Sequence, residues 1–466
     1  MNARALLKRS VRGRVLEPHS TAFDGARQLF NLATQRVPAF IVQCACAADV
    51  QAALRFARDE QLPVTARAGG HSVGGFSSVS SGVVLDLRAL DTVSFREGTL
   101  SAGGGCLWSD VLQRLGEGRG VPGPFDPRVG VAGLTLGGGF GILTRLYGLT
   151  LDSLTSADVV TPDGARLRTS PTEEPELFWA LRGAGAGLAV ATTLRFDVHP
   201  LQPLLAATVT YPLRRLREVL TCYRDFVAGL PAAATVYLGF STSGLESEPV
   251  QLHGFYFGDP TQGARVLAPL GRFGGVLREE LRPLRYVDAH APNDDRFPVG
   301  HHHRWRSHLL ATLPDDALAL LAEPTASAPL WGVLEHLGGA MANVPPDATA
   351  FPWRNARFGF VSALKWRRGA RKPVAALAAQ QRLHDALAPH ALGSYLNYLD
   401  QGDAAALAWG SNVARLQRVK RQLDPHNLLG RTLDLARAPR QESPSPPSSC
   451  CATRRAGRGS GRSLRR

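Results

Sequence analysis

Residues 65–75 read T-A-R-A-G-G-H-S-V-G-G, and this stretch constrains the chain more than any other. Glycines at 69, 70, 74 and 75 let the backbone take positive φ and approach a ligand closely, so successive N–H groups can converge on phosphate oxygens. Arg67 adds a guanidinium able to make charge-assisted contacts. His71 is the one imidazole in the loop. A glycine-rich hairpin with an incidental histidine fits these residues as well as an anion cradle does, so the rest of the chain must decide. A second dense run, V-G-V-A-G-L-T-L-G-G-G-F-G, spans 129–141. A Rossmann fingerprint would need G-x-G-x-x-G opening a helix. The run from Gly139 lacks the last glycine, so a nicotinamide site is not written here.

Around these loops the pattern is mixed α and β. Residues 38–42 are a short β-rich run, 47–60 show helical spacing through Val50, Ala53, Leu54 and Phe56, and 83–87 form another apolar run. From about 201 to 390 the glycine density falls and longer elements follow, including a strand over 205–211 and a helix over 216–226, which reads as a second domain. The spacing predicts one amphipathic helix from Asp403 to Leu423, stopped by Asp424-Pro425. Beyond 439 the Pro/Ser-rich and Arg/Gly-rich sequence reads as disorder.

The 466 residues are 44% hydrophobic, enough for a substantial core in two or three domains. The net charge of +14 suggests nucleic acid at first, but seven arginines against one glutamate after residue 439 account for +6 of it. No basic stripe interleaves with aromatics, so no nucleic-acid partner is expected. The six cysteines lack paired CxxC spacing and are too sparse for a disulfide scaffold, which fits a reducing cytoplasm. No apolar run approaches the roughly 20 residues of a membrane span. Self-association into a homo-oligomer stays open.

Taken in order, the two glycine runs, T-R-x-x-G-L at 144–149, Leu177-Phe178-Trp179-Ala180-Leu181-Arg182-Gly183, Tyr395-Leu396-Asn397-Tyr398 and the residues Arg415, Lys420, Asp424 and Asn427 resemble the vanillyl-alcohol-oxidase superfamily. Its FAD domain is of the p-cresol-methylhydroxylase type, and the bacterial berberine-bridge-enzyme-like oxidases are the most similar branch. The resemblance implies an α+β architecture. A two-part FAD-binding domain at 37–202 would follow a leader at 1–36. An α+β substrate domain with an antiparallel sheet would occupy 203–400, with a return to the FAD domain over 401–438 and a basic tail at 439–466. It implies FAD held covalently through His71. Asp126 stands where some members carry a second, cysteine tether, so a single link is expected. Contacts to the cofactor would come from Arg67, Gly69, Gly70, Ser72, Gly74, Gly133, Gly137, Gly138, Gly139, Gly141, Val160 and Asn397. Within the family block at 182–190, the asparagine and one glycine are replaced.

By the same resemblance Tyr398 is the base, with Tyr395 beside it. A phenol with an ordinary pKa of about 10 needs nearby positive potential or a linked tyrosine to accept a proton at neutral pH. His301-His302-His303 invites a metal reading, but adjacent residues do not share a face and no acidic partner is suitably spaced, so a solvated loop is expected. Glu335 and His336 fall in the substrate-facing block and receive no catalytic role. The implied activity is an FAD-dependent oxidase taking hydride from an alcohol, sugar or secondary-metabolite carbon, with O2 as acceptor and H2O2 as product. A dehydrogenase or reductase using another acceptor, or a non-catalytic flavoprotein, remains an alternative.

Overall fold

Three sheets carry the architecture, and the first arises from the alternation of apolar run and helix. In the computed structural model, which describes residues 3–241, 249–291, 296–323, 330–400, 403–430 and 435, strands Phe40–Gln43 and Val64–Arg67 flank Val83–Asp86, all parallel. Parallel neighbours need a crossover, and helix Ala47–Asp59 supplies it. The helix buries Val50, Ala53, Leu54 and Ala57, one face at helical spacing. Burying a side chain such as Leu54 contributes about 1.5–3 kcal/mol. The segment expected to be a separate leader belongs to this sheet. Arg14–Leu16 pairs antiparallel with Phe40–Gln43, and helix Ala3–Ser10 buries Leu7. The basic composition had obscured the inward-facing Leu7, Val11 and Leu16, each at most 9% exposed.

The second sheet is antiparallel, in the order Val93–Arg96, Thr99–Gly103, Val190–Asp197, Leu154–Val160, Arg166–Thr169. Helices Trp108–Leu115, Val131–Gly137 and Pro175–Leu181 pack into its core through Trp108, Leu136 and Phe178.

The third sheet is antiparallel and eight-stranded, in the order Arg278–Leu284, Leu204–Tyr211, Val250–Phe257, Ala234–Ser241, Trp331–His336, Phe358–Arg367, His301–Leu310, Ala391–Gly393. Residues alternate between faces. Val209, Val236, Leu238, Leu252, Leu334 and Phe360 form a core with helices Leu216–Ala228 and Asp315–Ala322. Their neighbours in sequence, including Tyr237, Gln251, Val333, Glu335 and Val361, occupy the other face. The three histidines begin a strand rather than a loop: His303 is buried, and His301–Leu310 pairs along its whole length with Phe358–Arg367.

The single helix expected over 403–423 is broken into Ala405–Trp409 and Val413–Leu423. Gly410 sits at φ +45° between them, where a Cβ would lie 2.7 Å from the Trp353 ring. The chain then returns to the first sheet, where Leu428 and Leu429 join the core and the Leu428 carbonyl accepts from the Val64 amide at 2.9 Å.

Two buried arginines fasten the glycine-rich half to the third sheet. Arg145 donates to the carbonyls of Ala234, Leu337 and Leu230 at 2.8, 2.7 and 3.0 Å. Arg354 makes a two-pronged bond to Asp152 at 2.7 and 2.9 Å. The tail expected beyond 439 lies outside the described residues.

Candidate functional site

The loop that leaves strand Val64–Arg67 runs along one wall of a cavity of about 600 Å³, a size typical of small-molecule sites. Gly69, Gly70, His71 and Ser72 border it on this side, with Gly130 and Gly133 from the second glycine run. Tyr237, Trp331 and Glu335 border it from the third sheet. Gly70 takes φ +71°, and Ser72 Oγ accepts from the Phe76 amide at 3.0 Å, which fixes the turn. Arg67 is buried, with Nη2 at 2.8 Å from Asp86.

Burial lowers the pKa of His71, while the Asp126 charge opposes this and Arg128 reinforces it. The imidazole is therefore neutral near pH 7 and keeps a nucleophilic lone pair. Its ring is stacked on Phe30, at 4.8 Å between centroids and 15° between planes, and the other face of Phe30 stacks on His303 at 4.4 Å and 11°. Asn31 ties this stack together: its Nδ2 donates to the carbonyls of Val73 at 2.7 Å and His303 at 2.9 Å, and its Oδ1 accepts from the His303 amide at 2.8 Å. Asp126, in the place of the second tether, pairs with Arg128 at 2.6 Å. A carboxylate cannot form a thioether.

Across the cavity, Tyr398 donates its hydroxyl proton to Glu335 Oε1 at 2.9 Å. Burial pushes Glu335 up to about 7, partly offset by this bond. Its second oxygen, Oε2, is buried without a partner. Burial, and then the Glu335 charge, raises Tyr398 well above the ordinary phenol value. Tyr398, expected as the base, thus has a carboxylate rather than a cation beside its hydroxyl and the Tyr395 ring 4.8 Å away, and Glu335, poised near neutrality, is a second candidate to accept the proton. Sequence reasoning gave Glu335 no role; its only signal was an acidic residue following the apolar run that opens strand Trp331–His336. Tyr395 is a wall. Its hydroxyl accepts from the Gly139 amide and Asn397 Nδ2, both at 2.8 Å, and its ring stacks on Phe140 at 4.1 Å.

Of the residues expected to touch the cofactor, Arg67, Gly69, Gly70, His71, Ser72, Gly133 and Asn397 border the cavity, as do Tyr395 and Tyr398. Gly74, Gly137, Gly138, Gly139, Gly141 and Val160 are not among its lining residues, and each packs closely against protein. A Cβ would lie 2.3 Å from the Leu399 carbonyl at Gly74, 2.2 Å from Asn397 at Gly137, 2.0 Å from Thr150 at Gly139 and 1.6 Å from the Gly123 carbonyl at Gly141. Gly138 accommodates the Tyr395 ring in the same way, and Val160 is core. These glycines let protein meet protein. The altered 182–190 block still supplies wall, through Gly185, Ala186, Ala189 and Val190.

The residues present fit a phosphate-bearing, planar cofactor. Arg67 Nε and Ser77 Oγ are buried on the cavity wall without a protein partner, an arrangement that costs about 1–3 kcal/mol per group unless something fills it. A Cβ added to Gly133 would meet nothing within 4 Å. Among the described residues no group of His, Cys, Asp and Glu could hold a metal ion, and no helix is long and apolar enough to cross a membrane.

Comparison with known proteins agrees with this geometry. Residues 38–170 match the FAD binding domain family, and residues 394–431 match the berberine and berberine-like family. The FAD-linked oxidoreductase YgaK of Bacillus subtilis is 28% identical over 90% of this chain and 96% of its own. The (R)-6-hydroxynicotine oxidase of Paenarthrobacter nicotinovorans is 33% identical over 48% of this chain and 50% of its own. The structure of a xylooligosaccharide oxidase from Myceliophthora thermophila superposes with a TM-score of 0.84, covering 94% of this chain and all of that one at 22% identity.

Proposed function

Because the chain belongs to the berberine-bridge-enzyme-like FAD-linked oxidoreductases, we propose that it is an oxidase for an alcohol or amine carbon of a small molecule, with FAD joined once, through His71. One observation carries this reading: His71 and the unpartnered Glu335 Oε2 border the same cavity. Bound there, FAD supplies the acceptor for hydride leaving the substrate carbon.

The chain's own residues hold the ring and move the proton. Arg67, Ser77 and the glycine loop receive the anionic part of the cofactor. His71, neutral and held flat against Phe30, offers its ring nitrogen for the bond. Glu335 Oε2 takes the proton from the hydroxyl or amine borne by the carbon that loses hydride, while Tyr398 steadies the carboxylate through Oε1. A carboxyl poised near 7 suits general-base work at neutral pH. Tyr395 and Asn397 anchor the 395–398 segment to the second glycine run and so hold Tyr398 in place beside Glu335.

Acid precipitation tests the cofactor assignment. Flavin should remain on the polypeptide, His71→Ala should release it, and proteolysis should place it on a peptide containing His71. Flavin found on Cys106, or wholly lost from denatured wild-type protein, would sink the single-link assignment. Reducing the holoprotein with dithionite under nitrogen and then admitting air tests the acceptor. An oxidase yields one H2O2 per flavin within seconds, whereas slow reoxidation with rapid turnover on ferricyanide would mark a dehydrogenase.

A further inference from the structure

The register of the third sheet fixes which side chains share its cavity face, and with them the chemistry of the molecule that fits there. Ala363 pairs with Trp331 on one neighbouring strand and with Trp305 on the other. The two tryptophans therefore stand about two strand spacings apart, roughly 10 Å, with only a methyl group between them. Trp331 lies over Gly239, where a Cβ would be 2.7 Å from the indole edge, so its ring leans away from Ala363. Trp305 leans on Phe297 and Tyr398, at 5.0 and 5.3 Å between centroids. The result is a slot bordered by two indoles and by Val333 and Val361. Glu335 lies next along the strand that carries Trp331 and Val333.

The polar inventory of this wall is lopsided. Four of its side-chain atoms are buried without a partner: Trp305 Nε1, Trp331 Nε1, Tyr237 Oη and Glu335 Oε2. An indole N–H can only donate, and a neutral tyrosine donates as readily as it accepts. Gln251 already accepts from Arg296, whose guanidinium lies 3.9 Å above the Trp331 ring. The wall thus offers flat apolar faces, two indole N–H groups that can only donate, one carboxylate oxygen, and the Tyr237 hydroxyl and His253 imidazole, which serve in either sense. A sugar chain carries a donating hydroxyl on most of its carbons. Each one buried here without an acceptor costs about 1–3 kcal/mol. A flat ring bearing carbonyl, ether or ring-nitrogen acceptors satisfies both indole donors and the Tyr237 hydroxyl and keeps one proton for Glu335.

We propose that the substrate is a planar aromatic or conjugated heterocycle, rich in acceptors and poor in donors apart from the group oxidised, seated between Trp305 and Trp331 and hydrogen-bonded by their indole N–H groups and Tyr237. The proposal rests on the cavity being the substrate site of an FAD enzyme, and the two can fail separately.

The test uses the holoprotein, with coumarin as a planar probe that has acceptors and no donors, and cellobiose as the contrasting sugar. Coumarin should shift the flavin absorption band saturably, and cellobiose at a hundredfold higher concentration should leave it unchanged. Trp305→Phe and Trp331→Phe keep a ring and remove the N–H. Each should weaken coumarin about tenfold with flavin content and melting temperature preserved, and either variant that misfolds leaves the other, or Tyr237→Phe, to decide. A shift with cellobiose and none with coumarin, or coumarin affinity untouched by the phenylalanine changes, overturns the substrate class while the flavin enzyme stands. Purified protein with no flavin band, and none gained from added FAD, overturns both readings before any probe is added.

Discussion

At the scale of the residue, Glu335 is the point on which the proposed chemistry turns. Its carboxyl is raised from an ordinary 4.5 to about 7 by burial, so the folded protein binds more protons than the unfolded chain between those values. Stability contributed by this group therefore falls as pH rises from about 4.5 to 7 and stays lower above that window. Glu335→Gln removes the charge and keeps the bond from Tyr398. Flavin reduction by substrate should slow by roughly 10² to 10⁴, while thermal stability at pH 8 rises relative to wild type by on the order of 3 kcal/mol and is unchanged at pH 4. A variant that loses stability at pH 8 would show that the buried carboxylate is favoured by contacts other than Tyr398. Tyr398→Phe gives a second, opposite signature. The tyrosine bond lowers the Glu335 pKa, so its loss should move the rising limb of the rate–pH profile to higher pH, with a smaller loss of maximal rate than in the Glu335→Gln variant. An unmoved profile with an abolished rate would return the base role to the phenol.

At the scale of the element, the short segment around Phe30 connects two parts of the chain far apart in sequence. It stacks between His71 of the glycine loop and His303 of the third sheet, and Asn31 locks the register of both. Phe30→Ala should lower the fraction of flavin that survives denaturation while leaving noncovalent FAD binding measurable, because the imidazole loses the face that orients it. His303→Phe, which preserves the stack, should leave that fraction near wild type, and in-gel flavin fluorescence measures both. Equal fluorescence from the Phe30→Ala protein would show that the loop alone orients His71. None of this was legible in the sequence. The loop's glycines and histidine announced themselves by spacing, as did the strand–helix alternation before them, because local periodicity encodes local structure. Phe30 sits in a segment whose basic composition suggested a leader, and His303 in a run whose three imidazoles suggested solvent. Glu335 and Tyr398 lie 63 residues apart and meet only through the sheet's cross-strand order, which no spacing reveals. The glycines of the second run were readable as close-approach sites, but what approaches most of them is protein backbone and side chain.

At the scale of the whole molecule, the cavity exists because two halves with separate cores are held in fixed register, and buried arginines do much of the holding. The T-R-x-x-G-L motif, read from the sequence as part of the family resemblance, turns Arg145 toward three carbonyls of the half built on the third sheet. Arg354, only 1% exposed, reaches back to Asp152 in the glycine-rich half. Removing one member of such a pair leaves an uncompensated buried charge, at a cost of about 3–5 kcal/mol, whereas removing both costs far less. Arg354→Leu should therefore lower the urea midpoint sharply and loosen the flavin, seen as earlier release of flavin fluorescence on heating. Adding Asp152→Asn to the same protein should restore part of the loss, since the stranded carboxylate is gone and the neutral amide can still be satisfied locally. The single Asp152→Asn change should also be costly, because it strands the buried Arg354 guanidinium, even though the amide oxygen can still accept from the Leu149 N–H that Asp152 holds at 2.8 Å. If the double variant is as unstable as the sum of the singles, the pair contributes no coupling. The two halves would then owe their alignment to the carbonyl bonds of Arg145 and to the apolar contacts of Phe140, Leu149, Leu337 and Phe351.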